Sequence, residues 1–230
     1  DNSRIKHVLN PVIGEYDDPA NQKQGLLTLP ITAEGNTIIY GAAGSGKTLL
    51  LNTLLYSLIT EHTPDEVNLY LLDFADETLN AFANAPHVGE VMLSNDSEKI
   101  MRLFKSLYLK IKKRKKKLSL LGMDYINYVQ KQSDTADMPA IIIVIHNYTA
   151  FAELYSDNED DIVYLSREGT KYGIYFILSS LTTNGVRFRI TQNFKQHLVL
   201  QLNDDGDYST ILGKTEGLLH EKIKGRGLVK

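Results

Sequence analysis

The chain has 230 residues and a mass of 25.9 kDa, enough for one domain with a sizeable core. With 43% hydrophobic and 23% charged residues it is neither disordered nor fibrous, and the absence of Cys excludes disulfides, thiolate zinc sites and cysteine nucleophiles. The net charge of −3 conceals an imbalance: Lys110–Lys117 (KIKKRKKK) holds seven of the 25 basic residues, leaving 18 against 28 acidic ones, a balance of −10.

In chain order, apolar β-prone runs alternate with stretches of helical period, the pattern of an α/β fold. Strands are expected at Thr37–Tyr40, Val67–Asp73, Ala140–Ile145, Tyr172–Ser180 and His197–Gln201. Most are continuous rather than alternating, as buried parallel strands are. Helices are expected near Lys47–Thr60, Ser97–Leu121, Asp124–Lys131 and Asp160–Lys171, with a short one from Tyr208 to Leu212. Ser94 and Asn95 precede the helix at Ser97, and Asp96, Ser97 and Glu98 favour its first turn. Gln132–Pro139 and Asp204–Gly206 read as loops. No repeat or linker divides the chain, which reads as one domain over 1–230. No apolar run approaches the roughly 20 residues of a membrane span. The opening stretch lacks a signal-peptide core, so a cytosolic setting is expected.

Gly41–Thr48 reads GAAGSGKT and matches G-x-x-x-x-G-K-[ST] throughout. It follows the strand TIIY and opens the helical run LLLNTLLYSLI, the context this motif needs. Gly41, Gly44 and Gly46 allow a tight turn in which the backbone N–H groups, with those of Ala42, Ala43 and Ser45, face a phosphate. Lys47 is placed to reach the β- and γ-phosphates, and Thr48 to offer its hydroxyl to Mg²⁺. ATP and Mg²⁺ are the expected ligands.

Hydrolysis further calls for an acidic residue at the end of a second buried strand. The strongest such strand, AIIIVI, ends in His146–Asn147, and neither residue supplies an anion. Loss of a general base alone costs about 10² to 10⁴ in rate, so weak or no hydrolysis is expected. Val67–Asp73 also ends in Asp, but it follows the first helix directly. It is therefore expected at the sheet edge, with Asp73 a loop or cap residue in preference to a metal ligand, and Asp76 and Glu77 solvated.

Together these residues resemble the FtsK/SpoIIIE family of P-loop ATPases, and within it the ATPase domains of type VII secretion motors. The lead-in IGEYDDPANQKQ (Ile13–Gln24), with Asp17, Pro19, Gln22 and Gln24, narrows the likeness. The long helix with its Leu-Gly pair, the NDDGDYSTILG stretch and the closing KGRGLVK extend it over nearly the whole chain. The resemblance implies a RecA-like fold, with a central mostly parallel sheet flanked by helices. It also implies a place among other ATPase domains of one membrane-anchored chain, and a part in receiving small helical WXG100-type substrates. Two departures stand out. His146–Asn147 replaces the family's Asp-Glu, and in SSLTT (Ser179–Thr183) the family's phosphate-sensing Gln falls on Leu181. The resemblance therefore implies a degenerate ATP-binding domain; the alternative is an ATPase active only in a tandem or hexameric assembly.

The basic run invites a DNA reading. It lies, however, on a helix with an apolar stripe of Leu103, Phe104, Leu107, Tyr108, Ile111 and Leu118, and the rest of the chain is acidic. Solvation or protein contact is preferred over nucleic acid, with some basic stems flanking the buried stripe. Asp157–Asp161, and Asp204, Asp205 and Asp207, read as helix caps rather than metal ligands. Arg187 or Arg189 could serve a neighbour's nucleotide, but with Arg167 they read first as salt-bridge residues. The six His show no zinc-site spacing.

Overall fold

The computed structural model describes residues 6–18, 21–132, 137–204, 206–213 and 225–229. Among the described residues nine strands and eight α-helices follow one another: β1 (Val12–Asp18), β2 (Lys23–Thr28), α1 (Ile31–Glu34), β3 (Thr37–Tyr40), α2 (Lys47–Glu61), β4 (Val67–Asp73) and β5 (Val88–Leu93). After these come α3 (Ser97–Leu121), α4 (Tyr125–Lys131), β6 (Ala140–His146), α5 (Tyr148–Leu154), α6 (Glu159–Gly169) and β7 (Ile174–Ser180). The last are α7 (Phe188–Thr191), β8 (Gln196–Leu200), α8 (Gly206–Leu212) and β9 (Gly227–Val229).

Seven strands form one sheet in the order β5-β4-β6-β7-β3-β8-β9, parallel except for the antiparallel β8–β9 pair. This is the expected mostly parallel α/β sheet. The central strands β6 and β7 are buried at every position, so both faces must be covered. One face packs against Leu51, Leu54, Leu55 and Leu58 of α2. The other packs against Ile100, Phe104 and Leu107 of α3, Phe151 of α5 and Ile162 and Leu165 of α6. The antiparallel β1–β2 hairpin lies against α2, where the Ser57 hydroxyl accepts from the Val12 N–H at 3.0 Å.

One strand's position differs from expectation. Val67–Asp73 is not an edge: β5 pairs outside it, Asp73 against Leu93, so β4 is interior. β5 carries only half-buried apolar residues around Met92 and has no continuous run to betray it. The strand expected from Tyr172 starts at Ile174, because Thr170–Tyr172 forms a 3₁₀ turn and Gly173 takes φ +71°. Part of the loop expected at Gln132–Pro139 lies outside the described residues, as do Pro19 and Asp205.

Two polar anchors hold the layers in place. Asn36, 1% exposed just before β3, donates through Nδ2 to Ser166 O (2.7 Å) and Asn193 O (2.8 Å). Its Oδ1 accepts from Phe176 N at 2.8 Å. Arg114 is the second anchor. It belongs to the basic run, yet it is 6% exposed, and its guanidinium donates to Tyr172 O and Pro139 O at 2.7 and 2.6 Å. It also lies over the Tyr125 ring, 5.7 Å from the centroid. Lys117 pairs with Asp137 at 2.7 Å, while Lys112, Lys113, Lys115 and Lys116 face solvent. α3 then ends at Gly122, φ +62°, where Met123 N donates to Leu118 O in a left-handed cap.

Arg114→Ala leaves two carbonyls without their donors and opens a cavity. A loss of about 2–4 kcal/mol is expected in urea unfolding. Lys113→Ala, on the exposed face, should stay within about 0.5 kcal/mol of wild type.

Candidate functional site

The site lies where β3 runs out into the loop of Gly41–Gly46. Gly41 N donates to Ser180 O at the end of β7 (3.0 Å), and Ala42 N to Gln201 O beyond β8 (2.8 Å). The loop is thus pinned on both sides by the strands flanking β3. Gly44 and Gly46 take φ of +75° and +105°, the left-handed backbone that side chains avoid. At Gly41 a Cβ would sit 2.3 Å from Ser45 Oγ and 3.1 Å from Leu200 Cβ, so any side chain there would push the Ser45 hydroxyl out of the loop.

Ala43 and Gly44 are exposed at the rim, while Ser45, Gly46 and Lys47 line the buried side. Lys47 is 7% exposed, and Nζ donates to Gly41 O and, at 2.9 Å, to Ala42 O. Burial lowers its pKa from the usual lysine range. Ser45 Oγ is buried with no hydrogen-bond partner among the described residues. An orphaned hydroxyl, a cradle that admits no Cβ and the start of a 15-residue helix together fit a bound phosphate chain.

Opposite the loop stands the end of β6. Parallel pairing of β4 and β6 sets Asp73 beside His146. His146, 2% exposed, brings Nε2 to 3.0 Å from Thr48 Oγ1 and Nδ1 to 2.7 Å from Ser179 Oγ. Ser179 Oγ also accepts from Asn147 N at 2.9 Å. Thr48 Oγ1 donates to Asp76 Oδ2 at 3.1 Å, which leaves Nε2–H of His146 to donate to Thr48 and the Ser179 hydroxyl to donate to Nδ1. Burial, with the nearby Lys47 ammonium, holds His146 below the usual imidazole range, although Asp73 and Asp76 act in the opposite sense. Burial works to raise the Asp76 carboxyl, but hydrogen bonds from Thr78 and Thr48 outweigh it and leave its pKa low.

Asp73 serves the loop role expected of it, accepting from Ala75 N and Leu79 N at 3.0 Å each. Asp76 was expected as a plain solvated carboxylate; that is corrected, since it is half-exposed yet bonded to Thr48, 3.8 Å from His146. Sequence reasoning missed it, and missed Ser179 as the partner of His146. The D-F-A-D spacing after β4 was the available signal, but only strand register makes it meaningful. Asn147, at φ +63°, caps α5 by accepting from Ala150 N, and its Nδ2 donates to Phe74 O at 3.2 Å. It works as a turn residue.

The remaining candidates lie apart from this cluster. Arg187 and Arg189 pair with Glu159 and Asp160 on the first turn of α6 at 2.6 to 3.5 Å, and Arg167 pairs with Glu168. The expected capping by Asp157–Asp161 is replaced at Glu159 and Asp160 by these ion pairs, while Asp204 does cap Gly206 N at 2.8 Å. Leu181 is partly exposed just after β7.

Fold and loop together define a RecA-like P-loop NTPase domain. The FtsK/SpoIIIE family profile matches residues 17–214, and the chain belongs to that family. It is 30% identical over 214 residues to the ESX secretion system protein YukB of Bacillus subtilis, covering 93% of this chain and 14% of the relative. To the type VII secretion system protein EssC of Staphylococcus aureus it is 26% identical over 219 residues, 94% of this chain and 15% of that one. The chain therefore spans about one-seventh of the length of these curated relatives. Among solved structures, EssC (ATPases 2 and 3) of Geobacillus thermodenitrificans superposes with a TM-score of 0.90 at 26% identity, over 100% of this chain and 44% of that one. EccC (ATPases 2 and 3) of Thermomonospora curvata, in complex with a signal sequence peptide, gives 0.89 at 29% identity, over 99% and 42%.

Ser179→Ala removes the partner of both His146 Nδ1 and Asn147 N in a buried position. A destabilisation of about 1–3 kcal/mol is expected by urea unfolding.

Proposed function

We propose that this chain is an ATP-binding domain of a type VII secretion motor, with weak or no hydrolysis of its own, that helps to receive exported substrates. The observation that carries it is a complete phosphate loop facing a β6 end without a carboxylate. Lys47, the loop N–H groups and the Ser45 hydroxyl bind the phosphates. A bound Mg²⁺ would neutralise phosphate charge. His146 has both ring nitrogens engaged, Nδ1 by Ser179 and Nε2 by Thr48, and is not free to take a proton from water, and Asn147 is committed to its cap. Nucleotide binding then acts through conformation rather than turnover.

The longer chain to which this domain belongs is read as standing at the cytoplasmic face of the membrane, with other ATPase domains beside this one. The two-domain EssC and EccC structures support that arrangement. Among the described residues no helix is long and apolar enough to cross a membrane. Substrate recognition is assigned to an open groove of about 380 Å³ between α3 and α6, lined by Met101, Phe104, Lys105, Tyr108, Leu109 and Asp161. The signal sequence peptide on the Thermomonospora curvata relative supports a peptide as its occupant, here the C-terminal segment of a WXG100-type substrate. One observation, the Asp76 carboxylate bonded to Thr48, favours a second reading in which the domain hydrolyses ATP once assembled with its neighbours.

Calorimetry should detect ATP binding, abolished by Lys47→Ala. Turnover of Mg-ATP by the isolated domain at several per second, lost in Lys47→Ala, would overturn the first reading. Loss of most full-length turnover on introducing Lys47→Ala in this domain alone would favour the second. For the groove, Leu109→Glu should weaken binding of a fluorescent substrate C-terminal peptide about tenfold, as expected for burying a charge in an apolar contact, while ATP affinity is unchanged.

A further inference from the structure

Beside the phosphate loop the fold gathers more anionic and nitrogen chemistry than phosphate binding requires. Asp73, Asp76 and His146 each offer a ligand atom, all within 4.8 Å of one another. Thr48 Oγ1 stands 3.0 Å from His146 Nε2 and 3.1 Å from Asp76 Oδ2. Two carboxylates so close together raise a charge problem. Among the described residues no Lys or Arg pairs with either: Lys47 Nζ is turned to the carbonyls of Gly41 and Ala42, and the one ion-pair partner of Asp76 is the His146 ring, 3.8 Å away. A second, independent observation comes from the loop. Thr48 closes GAAGSGKT, and its hydroxyl, the group such a loop offers to a cation, is the atom on which the cluster converges.

We infer that Thr48, Asp76 and His146 Nε2 hold a divalent cation directly, with Asp73 as a buried anion behind them. Asp76, reaching in from the loop after β4, supplies the carboxylate that the end of β6 lacks. The nitrogen ligand changes the preference: an all-oxygen set suits Mg²⁺, whereas imidazole with carboxylate favours a first-row transition ion such as Mn²⁺. The supporting layer is already in place. Ser179 Oγ can accept from Nδ1–H as readily as donate to Nδ1, so it fixes the ring while Nε2 is freed for the cation. Asp73 is locked by the N–H groups of Ala75 and Leu79, which fixes the position of its carboxylate. The assignment deepens the nucleotide-binding reading, resting on it for what the cation accompanies, but the protein ligands stand together in the chain itself.

The test uses Mn²⁺ alone as the probe, on the nucleotide-free protein, followed by electron paramagnetic resonance. The wild type should bind Mn²⁺, should resist displacement by equimolar Mg²⁺, and should show ¹⁴N modulation in the pulsed spectrum. Asp76→Asn, at a half-exposed position where folding is not at risk, should raise the Mn²⁺ dissociation constant roughly tenfold or more. His146→Gln should abolish the ¹⁴N modulation and the preference over Mg²⁺. Unchanged Mn²⁺ affinity in Asp76→Asn, or a wild-type spectrum without nitrogen modulation, overturns the assignment. ATP binding measured in EDTA separates the two readings. Mn²⁺ held in this way by a protein that does not bind ATP sustains the cation site and removes the nucleotide reading. ATP binding with a Mn²⁺ affinity indifferent to Asp76 does the reverse.

Discussion

The hydrogen bonds from Gly41 N to Ser180 O and from Ala42 N to Gln201 O fix where the phosphate loop leaves the sheet. They exist because β3 lies between β7 and β8, each in parallel register with it. Every other feature of the site follows from that placement. The helix α2 starts where the loop ends, Lys47 is carried inward under the loop, and Thr48 is turned toward the ends of β6 and β4. A shift of register by one residue would exchange the faces of β3 and turn the loop away from His146.

Much of this was legible in the chain. Runs such as AIIIVI and the motif GAAGSGKT carry their meaning locally, because a strand buried on both faces must be apolar throughout and a phosphate loop must be glycine-rich. The β1–β2 hairpin was not legible. Its residues are mostly half-exposed, and Gly25 is needed there only because the Tyr16 ring lies against it. β5 escaped for a similar reason, since Gly89 and Glu90 interrupt its apolar pattern.

At the site the division runs between composition and register. The replacement of carboxylates by His146 and Asn147 could be read directly from the sequence. What stands around His146 could not. Asp73 and His146 are 73 positions apart, and only parallel pairing of β4 with β6 makes them neighbours. Ser179 reaches the ring from β7 by the same geometry. The basic run shows the opposite failing, in which composition suggested a surface: Arg114 is a buried strut whose five donors suit two carbonyls at once, which lysine's single ammonium would match less well.

Asn36 has a mechanical consequence. Its side chain joins the C-terminal part of α6, the segment after α7 and the backbone of β7, while its own carbonyl accepts from Gln196 N at the start of β8. It sits one residue before the strand that delivers the phosphate loop. A displacement of β3 along its axis therefore cannot be absorbed locally; it must drag α6 with it or break several buried hydrogen bonds together. The groove between α3 and α6 and the phosphate loop at the far end of β3 are then joined through one stiff linkage, with a single amide as its pivot.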